Sequence, residues 1–304
     1  MTDQAKLEKA YKVIADAARW LVESGKEQKY MIKQTRNLGD TLHLTPIIRH
    51  YRLKHPNAAI VFICGKAYEN AHELNPHVNK IMTVDHNLNP QERIAIRQRM
   101  LTFESDNFHV IAPSIHPFGK VWKGLAWSYE NIADQYLHNA GIKNLKPEGG
   151  RGLVLKISDE DNEWAKHFLS SRKLDPKRCI VLEYNSYSHP LTIKGKDYRN
   201  IIRALRKNNV TCICVAGKGE ALLQGAIDAR GISWRKTAAL LNKVAAMVGV
   251  GSGITMIAAA CKNKPLIIEV AVPPSITMKA CGYADSVRAQ HPEGVIKRIA
   301  EHVR

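Results

Sequence analysis

The chain has 304 residues, 45% hydrophobic and 24% charged, with 19 glycines and 13 prolines, which excludes a collagen-like, low-complexity or largely disordered polymer. No apolar run reaches the ~18 residues of a membrane span, and the first 28 residues carry acids but no apolar stretch of the signal-peptide kind, so a cytoplasmic protein is expected. Lys and Arg number 45 against 28 Asp and Glu, a formal net charge of +17 that draws polyanions: a phosphorylated glycolipid, an anionic membrane surface met peripherally, or nucleic acid.

The element pattern starts with an amphipathic helix from Ala5 to Ser24, its apolar residues Leu7, Tyr11, Ile14, Ala18 and Leu21 at helical spacing. Tyr30–Lys33 reads as a strand, Thr35–Gly39 as a turn and Leu42–Leu53 as a helix, with Asp40 or Thr41 as alternative starts. The run AIVFICG fits a buried parallel strand. A helix over Ala67–Leu74, the strand KIMTV, a helix over Pro90–Leu101 and the strand FHVIAPS follow. GIKNLKPEGGRGLVLKIS, rich in glycine, reads as a linker. Beyond it Ser158 is a natural N-cap with acids behind it. The pattern then runs CIVLEY (strand), DYRNIIRALRKNN (helix), VTCICVAG (strand), KGEALLQGAIDARG (helix), TAALLNKVA (helix), AMVGVG (strand), GITMIAAACKN (helix) and PLIIEVAV (strand). A last amphipathic helix spans Pro292 to Val303. This alternation predicts two parallel-sheet α/β domains, 29–150 and 151–285, flanked by helices at 1–28 and 286–304. Six cysteines without a CxxC pair read as reduced core residues, and no metal site is expected.

Four constellations stand where such sheets bind ligands. Asn37-Leu38-Gly39-Asp40 leads into a helix, with Thr41 and His43 behind it. A carboxylate there can cap the helix or remove a proton from a hydroxyl. Gly217-Lys218-Gly219-Glu220 follows the strand VTCIC, and Gly249-Val250-Gly251-Ser252-Gly253 follows another. The second of these lacks the register of a dinucleotide fingerprint, yet its small residues let a phosphate sit on a helix N-terminus. Lys194-Gly195-Lys196 is a basic loop able to grip a diphosphate.

The block IKQTRNLGDTLHLTPIIRHYRLKHPNAAIVFICG, followed by ELNPHVNKIMTVD, resembles the opening of the glycosyltransferase family 9 enzymes, the heptosyltransferases of lipopolysaccharide core synthesis. The second half is similar in order, through CIVLEYNS, CICVAGKGE, TAALLNKVAAMVGVGSG and ITMIAAACKNKPLII. The resemblance implies the GT-B fold, two Rossmann-like domains with parallel sheets facing a cleft. It also implies sugar transfer from a nucleotide-diphospho-sugar without a metal ion or other cofactor. By the same resemblance Asp40 is the candidate catalytic base. Lys194, Lys196, Gly217, Lys218, Glu220, Ser252 and Gly253 are candidate donor contacts, and Gly39, Thr41, His43 and His116 candidate acceptor contacts. The family carries Asp-Ser/Thr-Gly and a following His on the donor side; here those positions are Gly251 and Met256.

The expected function is therefore a metal-independent glycosyltransferase acting on lipopolysaccharide core or a related surface glycan. One alternative is a phage-type DNA glycosyltransferase acting on a hydroxylated base. The other is a non-catalytic descendant that binds glycan or nucleotide.

Overall fold

The computed structural model describes residues 3–85, 88–113, 131–185, 195–270, 272 and 277–303. The backbone divides into two compact units, Met1–Val154 and Leu155–Arg304.

The first unit runs α1 (Asp3–Glu23), β1 (Lys29–Gln34), α2 (Leu38–His43), α3 (Thr45–Lys54), β2 (Ala59–Gly65), a single turn α4 (Glu69–His72), β3 (Lys80–Val84), α5 (Pro90–Leu101), β4 (Phe108–Ile111) and α6 (Ile132–Asn139). Its four strands are parallel in the order β3-β2-β1-β4, with Tyr30 opposite Ile60 on one side and His109 on the other. Both faces are covered, which is why β2 is apolar throughout. Tyr30, Ile32, Ile60, Phe62 and Cys64 pack with Ile47, Ile48, Tyr136 and Leu137 of α3 and α6. Alternate residues Met31, Ala59, Val61 and Ile63 pack with Ile14 and Leu21 of α1 and with Ile96 and Met100 of α5.

The helix expected over Leu42–Leu53 is two helices. The first begins earlier, at Leu38, because Asn37 caps it and the Asp40 carboxylate accepts from the Asn37 amide at 3.3 Å. It stops at His43 because Pro46, which has no N–H to continue the ladder, opens the next helix instead. Gly39 thus lies inside a helix rather than in the turn, and it is not among the glycines with positive φ.

The second unit runs α7 (Asp159–Ser170), β5 (Cys179–Leu182), α8 (Gly195–Lys207), β6 (Thr211–Cys214), β7 (Ile227–Asp228), α9 (Trp234–Leu241), β8 (Ala246–Gly249), α10 (Gly253–Ala260), β9 (Leu266–Val270), β10 (Ser286–Ala289) and α11 (Pro292–His302). Ser158 caps α7 as its position predicts, accepting from Asp161 N at 3.1 Å. The six strands are parallel in the order β10-β9-β8-β5-β6-β7. Ile180, Leu182, Cys212, Cys214, Val248 and Ile268 pack with Tyr198, Ile201 and Leu205 of α8 and Val295 and Ile299 of α11. All six cysteines are buried, and none forms a disulfide.

The helix expected over KGEALLQGAIDARG does not form. The three glycines of this stretch weaken a helix, and two of them, Gly225 and Gly231, take left-handed backbone at φ +88° and +73°. Ile227 and Asp228 instead extend the sheet beside β6, and Arg230 bridges the loop to the Asp228 carboxylate and the Glu220 carbonyl.

Each sheet contains one reversal of strand order. The chain steps from β1 outward to β2 and β3 and returns on the other side of β1 with β4; the second unit does the same from β5 to β8. Open α/β sheets hold ligands outside the carboxyl ends of the strands at such a reversal.

Candidate active site

In the first unit the reversal is occupied by Asp40. It sits in the first turn of α2, immediately past β1, with a side chain 14% exposed. Tyr136 on α6 donates its hydroxyl to Asp40 Oδ1 at 2.5 Å, and Gln34 Nε2 at the end of β1 donates to the Tyr136 oxygen at 3.3 Å. Asn37 N reaches Oδ2, and the Arg36 guanidinium lies 3.7 Å from the same oxygen. The carboxylate is therefore aimed by a buried tyrosine and a backbone amide. Its charge also acts on the Arg93 guanidinium and disfavours ionisation of the Tyr68 hydroxyl.

The residues that follow Asp40 are supports and not surface contacts. Thr41 is fully buried; its hydroxyl donates to Leu38 O at 2.8 Å and accepts from His72 Nε2 at 2.8 Å. Burial lowers the His72 pKa to about 3, so the ring is neutral. His43 is also buried and stacks on the Tyr136 ring, centroids 4.6 Å apart. Burial brings its pKa down to about 4, against the pull of the Asp40 charge. Thr41 and His43, expected as acceptor contacts, are thus buried in the frame around Asp40. His116 lies outside the described residues. Gln34, Arg36 and Tyr136 were not legible as site residues; Tyr136 stands 96 positions from Asp40 and meets it only through the packing of α6.

In the second unit the reversal holds Glu183, just past β5, and the glycine turn that joins β8 to α10. The Glu183 side chain is buried and collects donors from the turn. Ser252 Oγ donates to Oε1, Thr255 Oγ1 to Oε2 at 3.1 Å and Val250 N to Oε2 at 3.5 Å. Ser252 in turn caps α10, accepting from Ile254 N at 3.0 Å. Burial raises the Glu183 pKa to about 7, and the three hydrogen bonds offset only part of that rise. A Cβ on Gly249 would stand 2.3 Å from Thr255 Oγ1, so only glycine lets the turn close over the carboxyl. Gly251 has φ +69°, and a Cβ there would stand 3.0 Å from Val272 Cγ2. Met256 is buried core. Ser252 and Gly253 are half-buried at the N-terminus of α10, where free amides favour an anion.

Of the other expected donor contacts, Gly217 and Lys218 are exposed in the loop after β6, and no helix N-terminus follows them. Glu220 is held through Asn185, whose Nδ2 donates to Oε2 at 2.8 Å. Lys196 is exposed at the start of α8, and Lys194 lies outside the described residues. Among the described residues no three of His, Cys, Asp and Glu stand together as a metal site, and no helix is long and apolar enough to cross a membrane.

No protein-family profile matches the chain, and no curated protein sequence does. Solved structures do. A glycosyl transferase family 9 protein from Veillonella parvula superimposes with a TM-score of 0.69 at 16% identity, covering 92% of this chain and 99% of that one. The E. coli ADP-heptose LPS heptosyltransferase II gives 0.64 at 12% identity, over 91% and 98%. The E. coli heptosyltransferase WaaC with ADP gives 0.55 at 14%, over 90% and 100%. Two parallel-sheet α/β units, as the sequence resemblance implied, are found, and they match the fold of these structures.

Proposed function

We propose that the protein is a metal-independent glycosyltransferase that moves a sugar from a nucleotide-diphospho-sugar to a hydroxyl of a polyanionic acceptor, a lipopolysaccharide core or related surface glycan. The observation that carries this reading is Asp40: a carboxylate at the strand-order reversal, oriented by Tyr136 and the Asn37 amide and still partly open. Fold-level likeness to nucleotide-sugar enzymes raises the same reading by analogy. In the reaction, an Asp40 oxygen takes the proton of the acceptor hydroxyl as that oxygen bonds to the anomeric carbon of the donor sugar. The bond from that carbon to the diphosphate breaks, and the nucleoside diphosphate leaves with the electron pair. The amides at the start of α10, with Lys194 and Lys196, would stabilise the departing charge.

The test is Asp40→Asn, assayed in EDTA against a panel of nucleotide sugars. The expected variant is folded, is stabilised by the same donor as the parent through mass action, and transfers roughly 10²-fold to 10⁴-fold more slowly. Normal turnover by the variant removes Asp40 from the chemistry. Strict dependence on added Mg²⁺ or Mn²⁺ removes metal independence.

A second reading, a donor-binding protein without turnover, is favoured by one observation: the donor turn has glycine at 251 and methionine at 256 where the family carries Asp and His. It predicts stabilisation by a nucleotide or nucleotide sugar with no transfer to any acceptor.

A further inference from the structure

Beside Asp40 lies a cluster of cations of which the catalytic reading uses only Arg36. Lys33 is on β1 but faces α5, the side of the sheet that also buries Met31. It is only 8% exposed, and its ammonium has one described acceptor, the Arg93 carbonyl at 3.5 Å. Its charged neighbours are Arg93 and Arg97, one turn apart on α5, and both repel it. Arg93 in turn feels Arg36. Four cations thus gather against two carboxylates, Asp40 and Glu92. Glu92 is already committed to the cap of α5, accepting from Asn89 N.

Burying a lysine among like charges is costly unless an anion joins it. Two further observations point to a missing partner. Arg93 Nε is buried with no hydrogen-bond partner among the described residues, and so is Thr35 Oγ1, two residues beyond Lys33. The cluster also stands at the carboxyl end of β1, the edge where this sheet topology receives ligands. We propose that Lys33, Arg36, Arg93 and Arg97 form a phosphate-binding subsite beside Asp40, which holds a terminal phosphomonoester of the acceptor. The geometry favours a terminal group over a nucleic-acid backbone. A phosphomonoester is a compact end group that can approach a lysine only 8% exposed, whereas the phosphodiesters of a duplex lie along a rod. The identity of the phosphate's carrier rests on the transferase reading; the anion site itself does not.

The experiment compares melting temperature and calorimetric binding in phosphate and in chloride at matched ionic strength. It uses the full chain, Lys33→Met, Arg93→Gln and, as a control in the second unit, Ser252→Ala. Glucose 6-phosphate and a short DNA duplex serve as further probes. The wild type is expected to gain stability from phosphate and from glucose 6-phosphate. Lys33→Met should start at an equal or higher melting temperature, because the repulsion is gone, and should bind phosphate roughly tenfold or more weakly. Arg93→Gln should lose the response as well, and Ser252→Ala should keep it. A wild type indifferent to phosphate overturns the proposal. So does a response that survives Lys33→Met and vanishes in Ser252→Ala, and so does a Lys33→Met variant that is merely destabilised. Duplex binding lost in Lys33→Met while glucose 6-phosphate fails to bind assigns the cluster to nucleic acid and overturns it too. If instead phosphate binds as expected and no nucleotide sugar is ever turned over, the transferase reading falls and the anion site stands.

Discussion

Two hydroxyl–carboxyl contacts carry most of what individual side chains do in this protein. The first is Tyr136 to Asp40. Removing only the hydroxyl with Tyr136→Phe keeps the buried ring and its stack on His43 but frees Asp40 Oδ1. A hydrogen bond to a charged group contributes about 1.5–3 kcal/mol, so kcat should fall by roughly tenfold or more with donor binding unchanged. Steady-state kinetics that show a change in donor KM alone would reject the positioning role. The second contact is Ser252 to Glu183. The folded-state pKa of Glu183 is about 7, raised above the ordinary 4.5. The folded protein therefore keeps a proton that the unfolded chain releases between about pH 4.5 and 7. The stabilisation is complete below pH 4.5 and is lost as pH rises towards 7, by about 3 kcal/mol for a shift of this size. In Glu183→Gln that slope should disappear. Denaturant unfolding of both proteins at a series of pH values gives the difference, and parallel stability curves would exclude Glu183 as its source.

At the scale of elements, the turn from β8 to α10 is set by backbone space. Gly251 takes φ +69° with Val272 packed where a Cβ would stand. Gly251→Asp, which would place an acid where the resembled family has one, should therefore cost about 1–3 kcal/mol and, on the proposed donor reading, weaken nucleotide binding. Thermal melts with and without donor check this; a variant both stable and faster would mean that the turn accepts an acid as it stands. The buried strands were readable because a parallel sheet covered on both faces leaves unbroken apolar runs such as AIVFICG and CIVL. The edge strands β7 and β10 were not, since two and four residues with Asp228, Ser286 and Arg288 among them carry no such run. The helix expected after β6 failed for a related reason. Its apolar spacing was judged without the cost of glycines that the sheet edge and Arg230 exploit. Asp40 itself was legible because an acid beside a glycine just past a strand is a local signal; its capping-box pairing with Asn37 appears only in the structure. The Lys33–Arg93 cluster was illegible, because strand parity and the phase of α5 bring together residues 60 positions apart.

For the whole molecule, the governing quantity is the formal charge of +17, and it yields a prediction about which polyanion the protein uses. A long-range positive field speeds the arrival of any anion and is screened within a Debye length of about 8–10 Å at ordinary salt. Faster encounter alone therefore says little about the true acceptor. The number of ions released on specific binding says more. A duplex neutralised at six phosphates would give a log–log salt slope of about −5, from roughly −0.9 per contact. A glycan held by one terminal phosphate at Lys33 and Arg93 offers only one or two charges, and its slope should be near −1 to −2. Measuring kcat/KM for acceptor between low and moderate salt reads this directly once a donor is known. The shallow slope is the expected result, and Lys33→Met should flatten it further. A slope as steep as that of a duplex, with sugar appearing on base-hydroxylated DNA and none on a core oligosaccharide, would replace the glycan with DNA as the acceptor.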